Sequence, residues 1–161
     1  MVDQVMRKMM EYYAGDPRRV NHFLKVYGFA RAIAAGEGLD ARTREILEVA
    51  ALTHDIGIRN SEAKYASASG EHQQIEGPPE AEALLRALGA EEERIARVCF
   101  LIAHHHTYKD IQGADYQILV EADFLVNAYE DSMSAEAIRA CKRKVFQTQT
   151  GKALLQTLYG A

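Results

Sequence analysis

Apolar residues recur at intervals of three and four along nearly the whole chain, and no stretch alternates apolar and polar positions convincingly. The first period belongs to the α-helix and the missing second one argues against sheet, so an all-α protein is expected. A first helix is predicted over about 2–14, stopped by Gly15. Asp16 can cap a second, with Pro17 at the first helical position, running to about residue 35. On it His22, Val26, Phe29 and Ile33 are spaced by four, three and four, so they share one face that is apolar except for the histidine. Asp40 can cap a third helix through Ile46, Leu47, Val49, Ala50 and Leu52 to His54-Asp55. Residues 58–77 are polar and show no clear period, which predicts a long loop serving as a substrate entry or lid. Further helices are predicted over about 79–88, 91–106, 115–130, 134–149 and 152–159.

With 161 residues and 48% hydrophobic content, the chain can bury one sizeable core. Three prolines and no Ser/Gly-rich run leave no obvious boundary, so one domain over residues 1–161 is expected. A net charge of −4 with scattered Lys and Arg argues against a nucleic-acid duplex as partner, because such binding rests on clustered phosphate neutralisation. No apolar run is long enough to span a bilayer and no leader pattern opens the chain, so a protein without a membrane partner, in the cytoplasm, is expected. Cys99 and Cys141 lack any paired metal spacing and read as reduced thiols within helices.

The costly residues are polar ones on apolar faces. His54 and Asp55 close the run Val49-Ala-Ala-Leu-Thr53 and precede Ile56-Gly57. Burying an ionised carboxylate without compensation costs several kcal/mol or more, and a divalent cation offsets that while fixing the imidazole. His22 upstream, and Asp123 within Leu119-Val-Glu-Ala-Asp-Phe-Leu-Val126, carry the same cost. Neighbours on a helix do not face one another, so for His54 and Asp55 to reach one ion it must sit over the helix end. Of His104-His105-His106, the last two follow the buried side of Ile102; His105 is preferred over His106 as the site residue, His106 is a candidate substrate contact, and the alternative is a cluster exposed at the helix end. Asp115 and Glu130 are expected at solvated helix ends. Thr150-Gly151-Lys152 suggests a phosphate loop, but Phe146 stands where that motif needs glycine and Ala153 where it needs Ser or Thr.

Arg19-x-x-His22-x-x-x-Val26, Ala50-Ala-Leu-x-His54-Asp55-Ile-Gly57, Ile102-x-x-His105-His106 and Glu121-Ala-Asp123 together resemble the HD-domain superfamily of metal-dependent phosphohydrolases. The resemblance implies a single-domain helical bundle with the metal site in its core. Its motif-bearing part covers about 16–130, and the helices of 134–159 pack on it. It implies His22, His54, Asp55, Asp123 and His105 as ligands of a divalent ion (Mn, Fe, Co, Ni or Mg) whose bound hydroxide attacks phosphorus. Asp55 also holds the water. The expected substrate is a small phosphate ester, a nucleotide or another phosphorylated metabolite. Two departures matter. Members with two metals usually carry a histidine before a glycine where this chain has Glu76-Gly77, so one ion per chain is favoured over two, and Glu76 becomes a candidate ligand or proton donor. A frequent lysine is replaced by Ile58, which leaves Arg19, then Arg18, as candidate phosphate contacts. The alternatives are a di-iron oxygenase of the same type, which needs four histidines and two aspartates to converge, and a non-catalytic module binding metal or nucleotide.

Overall fold

Nine α-helices and no strand make up the computed structural model, which describes residues 1–161. They are α1 (Val2–Tyr12), α2 (Pro17–Gly36), α3 (Ala41–Thr53), α4 (Ile58–Tyr65), α5 (Gly70–Ala87), α6 (Glu92–His104), α7 (Ala114–Glu130), α8 (Ala135–Val145) and α9 (Gln149–Tyr159). The caps read from the sequence form as expected. The Asp16 carboxylate accepts from Arg19 N at 3.1 Å, and Asp40 accepts from Arg42 N and Thr43 N, each at 3.0 Å. These bonds satisfy amides that a helix start leaves open.

α3 is the axis of the bundle. Every residue from Ile46 to Thr53 is buried, and α1, α2, α6 and α7 all pack around this helix. Its apolar side chains belong to one core of 34 buried residues shared by the surrounding helices. Because α3 is covered on all sides from Ile46 onward, His54 at its C-terminal end is fully buried and Asp55 is mostly so. That end carries His54 and Asp55, and α1 fixes it from outside. The Tyr13 hydroxyl donates to the Asp55 carbonyl at 2.8 Å and Tyr12 to the Ile56 carbonyl at 3.3 Å. No helix is long and apolar enough to cross a membrane.

The expected loop over 58–77 is a correction: it is two helices, α4 and the first two turns of α5, joined by residues 66–69. Ala66 ends α4 in the left-handed region at φ 51, and the Ser69 hydroxyl caps α5 on His72 N. α5 then runs through Pro78 and Pro79, where the sequence points to a helix start. Two missing N–H groups weaken the helix locally, but long packing of α5 against α6 holds it. A second correction lies at the C-terminus, where α8 stops at Val145 and α9 begins at Gln149. The intervening chain turns in to reach Glu121, a fully buried carboxylate that accepts from Gln117 Nε2 at 2.7 Å, Gln147 N at 2.6 Å, Thr148 N at 3.0 Å and the Thr148 hydroxyl.

The turn after Asp55 lies against α5 so closely that a Cβ on Gly57 would stand 2.6 Å from Gly77 N and 2.7 Å from the Gln73 carbonyl oxygen. Both neighbours are backbone and cannot give way. Gly57→Ala should therefore lower stability in urea denaturation by about 1–3 kcal/mol, as overpacking does. Gly28, within α2 with nothing within 4 Å of an added Cβ, is the matched control. There the change to Ala should be neutral or stabilising, by up to about 1 kcal/mol.

Candidate metal centre

Four elements meet at the C-terminal end of α3. α2 supplies His22, α3 and its turn supply His54 and Asp55, the residue after α6 supplies His105, and the middle of α7 supplies Asp123. His22 Nε2 lies 3.2 Å from His54 Nε2, 3.3 Å from Asp55 Oδ2 and 3.3 Å from Asp123 Oδ1. His54 Nε2 lies 3.5 Å from each of the same two carboxylate oxygens. On the far side Asp55 Oδ1 is 3.6 Å from His105 Nε2, so the two oxygens of one carboxylate face two different groups of imidazoles.

The other ring nitrogens decide what these Nε2 atoms are. His54 Nδ1 is 2.8 Å from the Ala51 carbonyl and His105 Nδ1 is 2.7 Å from the Ile102 carbonyl. A carbonyl can only accept, so both Nδ1 atoms carry the proton. His22 Nδ1 is 2.8 Å from Glu130 Oε2, and Glu130 is held below the usual carboxylate range: burial opposes its charge, but Lys25 and His22 outweigh it. It too accepts. With Nδ1 already protonated, each ring turns Nε2, the nitrogen free to take a cation, to the same small space as the two aspartates.

Acceptors facing acceptors need positive charge between them. Burial disfavours charge on His54, yet Asp55 and Asp123 outweigh it and lift the imidazole to about 9; His22 is raised against burial by Asp123. Burial pushes the two carboxylates upward, but His54 holds Asp55, and His22 and His54 hold Asp123, well below the ordinary range. Without an ion, protons on the imidazoles perform the neutralising role.

Over the cluster lies a cavity of about 310 Å³, lined by Arg18, Arg19, His22, Asp55, Ile58, Ala68, Gln73, His106, Asp123, Asn127, Glu130 and Asp131. Arg19 reaches it while its Nη2 donates to Glu62 Oε1 at 2.8 Å.

The sequence of residues 19–142 matches the HD domain family. The chain belongs to that family. The fold of this HD domain is similar to the crystal structure of a predicted HD superfamily hydrolase from an uncultured Thermotogales bacterium. The two chains are 26% identical with a TM-score of 0.70, over 98% of this chain and 84% of that one. No curated protein sequence matches it.

The donors of this HD domain fit a divalent ion. His22, His54 and Asp123 form one group whose ligand atoms lie within 4.8 Å of one another, and Asp55, His105 and His106 form another. Asp123 Oδ1 and His105 Nε2 are buried with no hydrogen-bond partner, a state that costs energy unless something else binds there. Nitrogen and oxygen donors without thiolate suit Mn, Fe, Co, Ni or Mg.

Several candidates land elsewhere than the sequence placed them. Glu76 does not join the cluster, because Lys64 Nζ at 2.6 Å and the Tyr65 hydroxyl at 3.1 Å occupy its two oxygens. The α5 residue at the cavity is Gln73, one turn earlier, whose Oε1 is 3.1 Å from His106 Nε2. His104 turns away, bonded through Nδ1 to the Phe100 carbonyl and stacked on the Phe100 ring at 4.2 Å. Neither Asp115 nor Glu130 is a solvated helix end. Asp115 is 4% exposed and paired with Arg97, and Glu130 grips His22 and Lys25. Glu130 was legible in principle, since it follows Asp123 by seven residues, two turns along the same face of α7.

Because Glu130 orients His22 through the nitrogen opposite the cluster, Glu130→Ala should weaken metal binding about 10–100-fold by calorimetric titration. Glu76→Ala should leave the affinity within about threefold, well below that range. Equal losses would show that Glu76 reaches the ion.

Proposed function

We propose that this HD domain is a metal-dependent phosphohydrolase acting on a small phosphate ester, a nucleotide or another phosphorylated metabolite. The observation that carries the reading is the cavity itself. Two guanidinium groups, Arg18 and Arg19, stand over a cluster that presents Asp55, Asp123, Glu130 and Asp131 to the same space. An anionic ester would be repelled by four carboxylates against two arginines unless a cation balanced them. The family and the predicted hydrolase of similar fold support the same class.

A divalent ion held by His22, His54, Asp55 and Asp123 would acidify a water and neutralise phosphoryl charge in the transition state. The chain's own residues do the rest. Asp55 stands between both donor groups and accepts a hydrogen bond from the attacking water, aligning it with phosphorus. Arg19 and Arg18 hold the nonbridging phosphoryl oxygens, and Arg19 is positioned by Glu62. Water forms the new P–O bond while the bond to the leaving alcohol breaks. One water proton ends on the alcohol and the other stays on the phosphate. A single ion per chain is favoured over two, since the second donor group depends on His106, which Gln73 engages.

One observation favours a second reading. His22, His54 and Asp123 in one group and Asp55, His105 and His106 in the other supply the number and kind of donors that a di-iron oxygenase needs, with Gln73 engaging His106. The arginines over the cavity favour phosphate. Oxygen uptake by the Fe(II)-loaded protein separates the two.

Turnover of a panel of phosphomonoesters, phosphodiesters and nucleotides by protein loaded with each ion in turn tests the main reading, and hydrolysis of a monoester is expected. In that assay Asp55→Ala should lower kcat by roughly 10²–10⁴-fold, the scale of losing a group that ligates the ion and aligns the attacking water. Arg19→Ala should act mainly on KM, raising it about tenfold or more, as loss of a charge-assisted bond to phosphate does. Full activity of Asp55→Ala at normal metal loading would exclude the hydrolytic role.

A further inference from the structure

Asn127 and Asp131 line the space over the metal donors and also a second cavity, of about 420 Å³. The two spaces differ in chemistry. The first has only Ile58 and Ala68 as apolar walls, whereas the second is walled mainly by apolar groups, among them Tyr108, Phe124, Met133 and Val145. The shared wall has a simple origin in α7. Asp123 and Asn127 are one step of four residues, about 6 Å, apart on one face of α7, and Asp131, four residues further, caps its C-terminal end. The face that presents a donor to the cluster thus presents an amide one step out, and the helix end beyond it reaches the apolar cavity.

We infer that this second cavity is the leaving-group subsite, and that it takes the planar apolar part of an alcohol whose phosphate sits at the donor cluster. The inference rests on the phosphohydrolase reading and adds the kind of ester. An ester whose phosphate sits over the donor cluster beside Arg18 and Arg19 has Asn127 and Asp131 as the residues that lead to the second cavity. There the Asn127 amide, with both donor and acceptor, meets a hydroxylated or polar linker. Beyond it, an aromatic edge and a methionine offer a flat, polarisable wall suited to a ring. Together the two spaces have the size of an ordinary small-molecule site. Tyr108 lies in the connection between α6 and α7.

The test compares 2-naphthyl phosphate with inorganic phosphate as ligands of the Mn(II)-loaded full chain, by calorimetry. Wild-type protein should bind the naphthyl ester at least about tenfold more tightly. Tyr108→Ala removes a half-exposed ring, and Met133→Arg fills the cavity. Both should remove most of that margin while affinity for inorganic phosphate stays within about twofold. An absent margin in wild-type protein, or a margin that survives both substitutions, overturns the subsite. Turnover of the ester, followed in parallel, separates the two claims. Hydrolysis without the margin leaves the phosphohydrolase reading and removes the subsite. The margin without hydrolysis keeps the binding site and removes the hydrolytic reading.

Discussion

Two imidazole nitrogens that would repel each other as neutral acceptors face one another at 3.2 Å in the middle of this protein, and the rest of the structure is arranged around that confrontation. His54 has no choice of tautomer, because the Ala51 carbonyl takes its Nδ1 proton, and Glu130 removes the choice from His22. Their Nε2 atoms and two carboxylates then share a space where burial makes uncompensated charge expensive. A cation resolves the conflict. The fold holds the acceptors in this arrangement from four elements at once, so no single helix can relax to relieve it.

That dependence explains features that otherwise look unrelated. α3 is covered on every side, which buries its end. Tyr12 and Tyr13 clamp the carbonyls of the turn that carries Asp55, and Gly57 lets α5 approach until backbone meets backbone. That approach sets Gln73 against His106 and closes one side of the cavity. The machinery that shapes the site is thus mainly backbone contact and hydrogen bonding to carbonyls, which carries little trace in residue type.

The convergence of His22, His54, Asp55 and Asp123 was legible in the sequence because each is a costly residue on an otherwise apolar helical face. The all-helical fold was legible because its period runs nearly unbroken. The α4–α5 region was not: residues 58–77 lack an apolar stripe, and Pro78-Pro79 signals a beginning where the helix already runs. Packing on α6 decided that segment against its local preference. Glu76 was read as facing the site, but helical geometry gives that place to Gln73 and leaves Glu76 to Lys64 and Tyr65. Glu130 escaped notice because a carboxylate at a helix end is usually solvated, and only the position of Lys25 and His22 on the neighbouring helix makes it a structural partner.

The central claim is that these histidines offer Nε2, and not Nδ1, to one shared cation. ¹⁵N NMR of histidine-labelled protein, titrated with diamagnetic Zn(II) as a probe ion, reads the two ring nitrogens separately. The account predicts that His22 and His54 keep a protonated Nδ1 throughout while their Nε2 resonances shift together and saturate at one ion. Coordination through Nδ1, or two histidines that respond independently of one another, would contradict it.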